Sequence, residues 1–119
     1  MTNIKIILAS GSPRRKELLA QAGYDFDVCP SLSDEDLEPM APSEYVMLLA
    51  KKKADEVCNR IIAQDVVRRV KKLPERFVVL GADTVVSLNG RILGKPKDEQ
   101  DAVSMLQELS GKIHHVYTG

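Results

Sequence analysis

The chain has 119 residues, and its 17 Lys plus Arg balance 17 Asp plus Glu. That length fits one domain, and zero net charge removes any global attraction for DNA, RNA or an acidic membrane surface. Apolar residues at 44% suit a packed core rather than disorder, and no apolar run approaches the roughly 18 residues that read as a membrane span.

Met1 to Lys5 lacks a signal-peptide pattern. Cys29 and Cys58 stand far apart and outside any CxxC spacing, which predicts reduced thiols and a cytoplasmic protein. Ile4 to Ala9 is apolar apart from Lys5 and rich in β-branched residues, which predicts a buried strand. Ser10-Gly11-Ser12 is a turn, with Ser12 as N-cap and Pro13 at the first position of a helix. Leu18, Leu19 and Ala22 give that helix an apolar side, and Gly23 suits its C-terminal stop. Tyr24, Phe26 and Val28 alternate as in a half-buried strand. Pro30 to Pro42 is an acidic loop.

Ser43 is the expected cap of a long second helix, in which Val46, Leu49, Ala50, Ala54, Val57, Ile61 and Ile62 recur at helical spacing. The pattern continues through Val66, Val67 and Val70 to Pro74. Phe77 to Leu80 reads as a second buried strand. Thr84 to Leu88 and Arg91 to Leu93 flank Asn89-Gly90, a hairpin signal. Asp98 caps a third helix with Ala102, Val103, Met105, Leu106 and Leu109 expected inward and Gly111 as its stop. Ile113 to Tyr117 reads as a strand, just before Thr118-Gly119. A terminal strand and a chain cut short of its natural end are equally compatible with that pattern. Alternating strands and helices place the chain in the α/β or α+β class with a mixed sheet.

Five places could carry chemistry. Ser10-Gly11-Ser12-Pro13-Arg14-Arg15 joins a strand to a helix N-terminus, whose unpaired N–H groups attract anions. Ser10 and Ser12 add hydroxyls there, and Arg14 and Arg15 add guanidinium forks suited to phosphate. The plain alternative is a capped helix with two solvated arginines. Asp83 follows an apolar strand, at the strand end where ligands of α/β sheets sit. It could hold Mg²⁺, act as base toward water, or merely cap a turn. Lys95 follows the hairpin, where a lysine is ordinarily solvated. Of Lys51, Lys52 and Lys53, only Lys53 falls on the apolar side of its helix. Glu35 is a candidate metal ligand within Asp34-Glu35-Asp36, a run that ordinarily faces solvent. His114 and His115 are adjacent in a strand and point apart, so they cannot share a metal. The chain has no Trp and few other aromatic residues, which weakens any case for stacking on nucleic acid.

Taken together these motifs resemble the Maf family of nucleotide pyrophosphatases. The resemblance rests on Leu8-Ala9-Ser10-Gly11-Ser12-Pro13-Arg14-Arg15 with Glu17-Leu18-Leu19, on Leu49-Ala50 with Lys53-Ala54, and on Gly81-Ala82-Asp83-Thr84-Val85-Val86. Gly94-Lys95-Pro96 and Leu109-Ser110-Gly111 with His114, Val116, Thr118 and Gly119 complete it. It implies a Maf/ITPase-like fold, a mixed twisted sheet with flanking helices in two lobes around a cleft. It implies that Ser10, Ser12, Arg14, Arg15, Lys53 and Lys95 bind a nucleoside triphosphate. It makes Asp83 the catalytic acidic residue, with Glu35 beside it at a Mg²⁺ or Mn²⁺ ion. Arg14 and Ala82-Asp83-Thr84 resemble the branch that prefers dTTP and UTP. The branch that prefers 7-methyl-GTP more often shows Trp at the Arg14 position and Ser-Asp-Gln in place of residues 82–84. A homodimer is also implied.

Two departures stand out. The stretch from Cys58 to Arg76 is longer than usual for the family. The family also continues past Gly119 with an Asp-Lys motif and a Gly-rich run ending in Gln-Gly. Residues 1–119 are therefore expected to form the N-terminal portion of one Maf-like domain, with the second lobe incomplete. The competing expectation is a non-catalytic module that binds nucleotide or a protein partner.

Overall fold

The computed structural model describes residues 4–35, 37–68 and 76–119, with backbone only for 65–68. Strand β1 (Lys5–Leu8) lies between two parallel neighbours, β2 (Phe26–Val28) and β3 (Phe77–Leu80). Ile7 stands opposite Asp27 and Val79, and Leu8 opposite Val28 and Leu80. Parallel neighbours need crossovers. These are helix α1 (Pro13–Gln21) and helix α2 (Pro42–Arg68). The central position buries Ile7, Leu8 and Ala9. Val57 of α2 packs on Ile7 and Ala9, with Cys29, Ile61, Phe77 and Val79 around them.

A second sheet is antiparallel, in the order β5-β4-β6, made of β4 (Thr84–Leu88), β5 (Arg91–Leu93) and β6 (His115–Thr118). Asn89 and Gly90 both have positive φ, at 52° and 78°, as a two-residue hairpin turn requires. The mixed sheet expected from the sequence is thus divided. Parallel pairing stays in one sheet and antiparallel pairing in the other, with residues 81–83 crossing between them. Helix α2 touches both sheets: its buried Val46, Leu49 and Ala50 lie toward the half that meets β4 and β6.

The caps read from the sequence are present. Ser12 Oγ accepts the Arg15 N–H, and Asp98 Oδ1 accepts the Asp101 N–H at 2.8 Å to open α3 (Glu99–Leu109). Gly23 and Gly111 follow α1 and α3 with φ of 87° and 71°. Three expectations need correction. Helix α2 starts at Pro42, not after Ser43, because the Ala41 carbonyl already accepts the Tyr45 N–H and Pro42 pre-sets a helical φ. Strand β3 is an edge strand that turns Phe77 and Val79 inward but leaves Val78 and Leu80 exposed. Helices α1 and α3 contain no fully buried residue, and Leu18, Val103 and Leu106 are exposed. Their apolar sides are only partly covered: Leu19, Ala102, Met105 and Leu109 are half-buried. Val66 and Val67 fall within α2, whereas Val70 and Pro74 lie outside the described residues. Among the described residues no helix is long and apolar enough to cross a membrane.

Candidate active site

The turn after β1 folds back on itself. Ser10 is buried, and its Oγ accepts the Ser12 N–H and an Arg15 Nη1 proton, both at 3.2 Å. The other arm of Arg15 donates to Thr84 Oγ1 on β4 at 3.1 Å, and Thr84 Oγ1 lies 3.0 Å from Thr118 Oγ1 on β6. One guanidinium therefore ties the parallel lobe to the antiparallel one. Arg14 precedes it by one residue, about 100° around the helix. Its side chain is 74% exposed and stands 4.0 Å from Glu17. The structure thus separates the two arginines that the sequence reading grouped.

Asp83 sits where the chain leaves β3 for β4. Its N–H donates to the Gly119 carbonyl at 3.0 Å, and its carbonyl accepts the Gly119 N–H at 2.9 Å. Asp83 is 6% exposed. Oδ1 lies 3.1 Å from Lys53 Nζ, and the same ammonium lies 3.2 Å from Glu35 Oε1. Lys53 reaches inward with its side chain 13% exposed, while Lys51 pairs with Asp55 and Lys52 with Asp34. The 100° step along α2 explains this divergence. Asp83 Oδ2 is buried with no hydrogen-bond partner. An unmade bond at a buried polar atom costs about 1–3 kcal/mol, more for a charged group, a cost that a hydrogen-bond donor or a cation at this oxygen would remove.

Two cavities adjoin here. One of about 470 Å³ is lined by the Ser10–Pro13 turn, Arg15, Ser31, Ser33, Glu35, Lys53 and Lys95. The other, of about 420 Å³, shares Ser12, Arg15, Glu35, Lys53 and Lys95 and adds Asp83, Thr84, Tyr45 and apolar side chains that include Val85, Ile92 and Leu93. Together they form one cleft between the sheets. Its first end sets three cations against one carboxylate, and Lys95 there pairs with no carboxylate among the described residues. The donor set fits a hard divalent cation. Glu35 and Asp83 converge on one ammonium, and Mg²⁺ needs only one or two carboxylates when phosphate oxygens complete its shell. No group of three or more His, Cys, Asp or Glu able to hold a metal occurs among the described residues.

A family model described as Maf-like protein matches residues 5–119. The chain belongs to the Maf-like family. A dTTP/UTP pyrophosphatase of Agathobacter rectalis is 50% identical over 97% of this chain and 56% of its own length. One from Acetivibrio thermocellus is 49% identical over 98% of this chain and 55% of its own. A human relative described as a probable bifunctional dTTP/UTP pyrophosphatase/methyltransferase protein is 47% identical over 97% of this chain and 18% of its own length. This Maf-like chain therefore spans about half the length of the bacterial relatives. Within it, the cleft gathers Ser10, Ser12, Arg15, Lys53, Lys95, Glu35 and Asp83 and leaves Arg14 off the walls of these two cavities. Sequence reasoning missed Ser31 and Ser33, Thr84 as a partner of Arg15, and Tyr45, whose hydroxyl donates to the Glu35 carbonyl at 2.9 Å. Only the residue following Asp83 carried a local signal, because strand ends of this kind face ligands.

Proposed function

We propose that residues 1–119 supply the catalytic portion of a single Maf-like domain that hydrolyses dTTP and UTP to the monophosphate and pyrophosphate. One observation carries this reading: a buried carboxylate, Asp83, offers an unpartnered oxygen at the edge of a cleft lined by Arg15, Lys53 and Lys95. The names of the relatives agree with it. The cationic end takes the phosphate chain, and the end lined by Val85, Ile92 and Leu93 takes the less polar nucleoside. Asp83 Oδ2 orients a water and accepts its proton as the water oxygen bonds to the α-phosphorus. The bond from that phosphorus to the bridging oxygen breaks, and pyrophosphate leaves with the electron pair. Lys53, Lys95 and Arg15 offset the charge that grows on the leaving oxygens. Glu35 and Asp83 would hold a Mg²⁺ or Mn²⁺ ion, whose chemistry is to neutralise phosphate charge. The free thiols Cys29 and Cys58 accord with a cytoplasmic setting.

The test is product identification. The chain, alone and fused to the C-terminal segment of the Acetivibrio relative, is incubated with dTTP or UTP and Mg²⁺, and the products are separated by anion exchange. Monophosphate and pyrophosphate in equal amounts are expected, with loss of both on chelation. Diphosphate with orthophosphate would overturn the proposal.

A further inference from the structure

The loop from Pro30 to Glu35 is gripped along its length by α2. Lys52, Glu56 and Arg60 recur every fourth residue and so form one ridge on that helix. Arg60 Nη2 donates to the Pro30 carbonyl at 2.8 Å. Glu56 Oε1 accepts the Leu32 N–H and the Ser31 hydroxyl, and Glu56 is itself held by Arg60 Nε at 3.0 Å. Lys52 pairs with Asp34, and the neighbouring Lys53 with Glu35. The loop thus runs antiparallel to the helix. Eight helical residues rise about 12 Å, and four extended steps from Pro30 to Asp34 can cover about 13 Å, so the anchors on helix and loop, a strap along α2, match in spacing. Ser31 and Ser33 line the cationic cavity together with the Ser10–Ser12 turn, while Glu56 and Arg60 do not. With the Ser31 proton on Glu56, the Ser33 hydroxyl is the donor to Ser31 Oγ at 2.8 Å.

We propose that Ser33 turns its hydroxyl proton from Ser31 to the phosphate chain, a hydroxyl donor on the strap side of the pocket, and that Ser31, Glu56 and Arg60 are positioning residues that hold it in place. The inference rests on the nucleotide-binding reading above and adds to it a ligand residue and a support that never touches the ligand.

The experiment measures inorganic pyrophosphate binding to the chain by calorimetry, together with amide hydrogen exchange. Ser33→Ala and Glu56→Ala should each weaken binding about tenfold, the worth of one hydrogen bond to a charged group. Glu56→Ala should also speed exchange at Leu32 and Ser33 while Val57 stays protected. Glu56→Gln keeps an acceptor for the Leu32 N–H and should restore most of both. Ser33→Ala removes one hydroxyl only, so it decides the matter if Glu56→Ala unfolds. Unchanged pyrophosphate affinity in Ser33→Ala, or in a folded Glu56→Ala whose Leu32 amide exchanges faster, overturns the inference, as does a wild-type chain that binds no pyrophosphate. Pyrophosphate binding that responds to these variants, with no pyrophosphate released from dTTP or UTP, would uphold the strap and sink the proposed reaction instead.

Discussion

Asp83 and Lys53 are nearly removed from water, and a charge in that position is tolerated only when something compensates it. Lys53 is compensated twice, by Asp83 and by Glu35. That redundancy makes Asp83→Asn a clean variant: the amide oxygen still accepts from Lys53, and Glu35 still answers the ammonium. Turnover in the fusion should fall by about 10²–10⁴, the range for loss of a general base, while the melting temperature stays close to wild type. Near-normal turnover would make Asp83 a structural residue. Lys53→Met should behave differently, because it strands the buried Asp83 carboxylate; both melting temperature and pyrophosphate affinity should drop. Glu56 carries the pH dependence of the strap. Its carboxyl is held below the ordinary range chiefly by the Leu32 N–H, with Arg60 and Ser31 adding to the effect and burial opposing it. A folded value below the unfolded one means the anchoring is complete above the usual glutamate range, near about 4.3, and is lost as pH falls through the lower folded value. An NMR titration of the Leu32 amide should therefore show a midpoint below that range, and a midpoint at or above it would contradict the assigned contacts.

Helix α2 is the element that makes a cleft from two sheets, and two glycines let it come close enough. A Cβ on Gly81 would stand 2.3 Å from the Ala50 carbonyl oxygen, and one on Gly119 would stand 2.6 Å from the Val46 carbonyl carbon. Both neighbours are helix backbone, which cannot step aside. Gly81→Ala should therefore push residues 81–83 off α2, lengthen the Asp83–Lys53 contact, and lower the melting temperature by several degrees in a thermal scan. Gly90, by contrast, has open space around it, so its role is its positive φ alone. Local chemistry of this kind was legible in the sequence: the Ser12 and Asp98 caps, the Asn89-Gly90 turn, and the inward side of Lys53 all follow from neighbours within four residues. The strap was not legible, since Glu56 and Arg60 meet the loop across 24 and 30 residues. Nor was the division into two sheets, because hydrophobic pattern fixes which face of a strand is buried but not which strand lies beside it. Arg14 shows the same limit within one motif, as two adjacent arginines on a helix start must diverge.

For the whole molecule the telling quantity is extent. The radius of gyration is 17.3 Å, against about 13.5 Å from the scaling for a compact domain of this length. Helix α2, 27 residues long and so about 40 Å, accounts for much of the excess. Apolar surface is also left open: Leu106 is 67% exposed and Ile113 84%, with Val103 and Val116 nearby in sequence and exposed as well. Apolar surface gains about 25 cal/mol for each Å² removed from water, so a covering segment would add stability without touching the cleft. The bacterial relatives are longer, since this chain matches only about half of their length. Fusing the C-terminal segment of the Acetivibrio relative to this chain should therefore cover Val103, Leu106, Ile113 and Val116. The fusion should melt higher than the chain alone, bind less of an apolar-surface dye, and show slower amide exchange in α3. Replacing Leu106 by Glu separates this account from general stabilisation. In the chain alone the change should be nearly neutral, as at any exposed site. In the fusion it would bury a charge and should cancel most of the gain in melting temperature. If Leu106→Glu is as harmless in the fusion as in the chain alone, α3 faces solvent in the fusion too, and the added segment packs elsewhere.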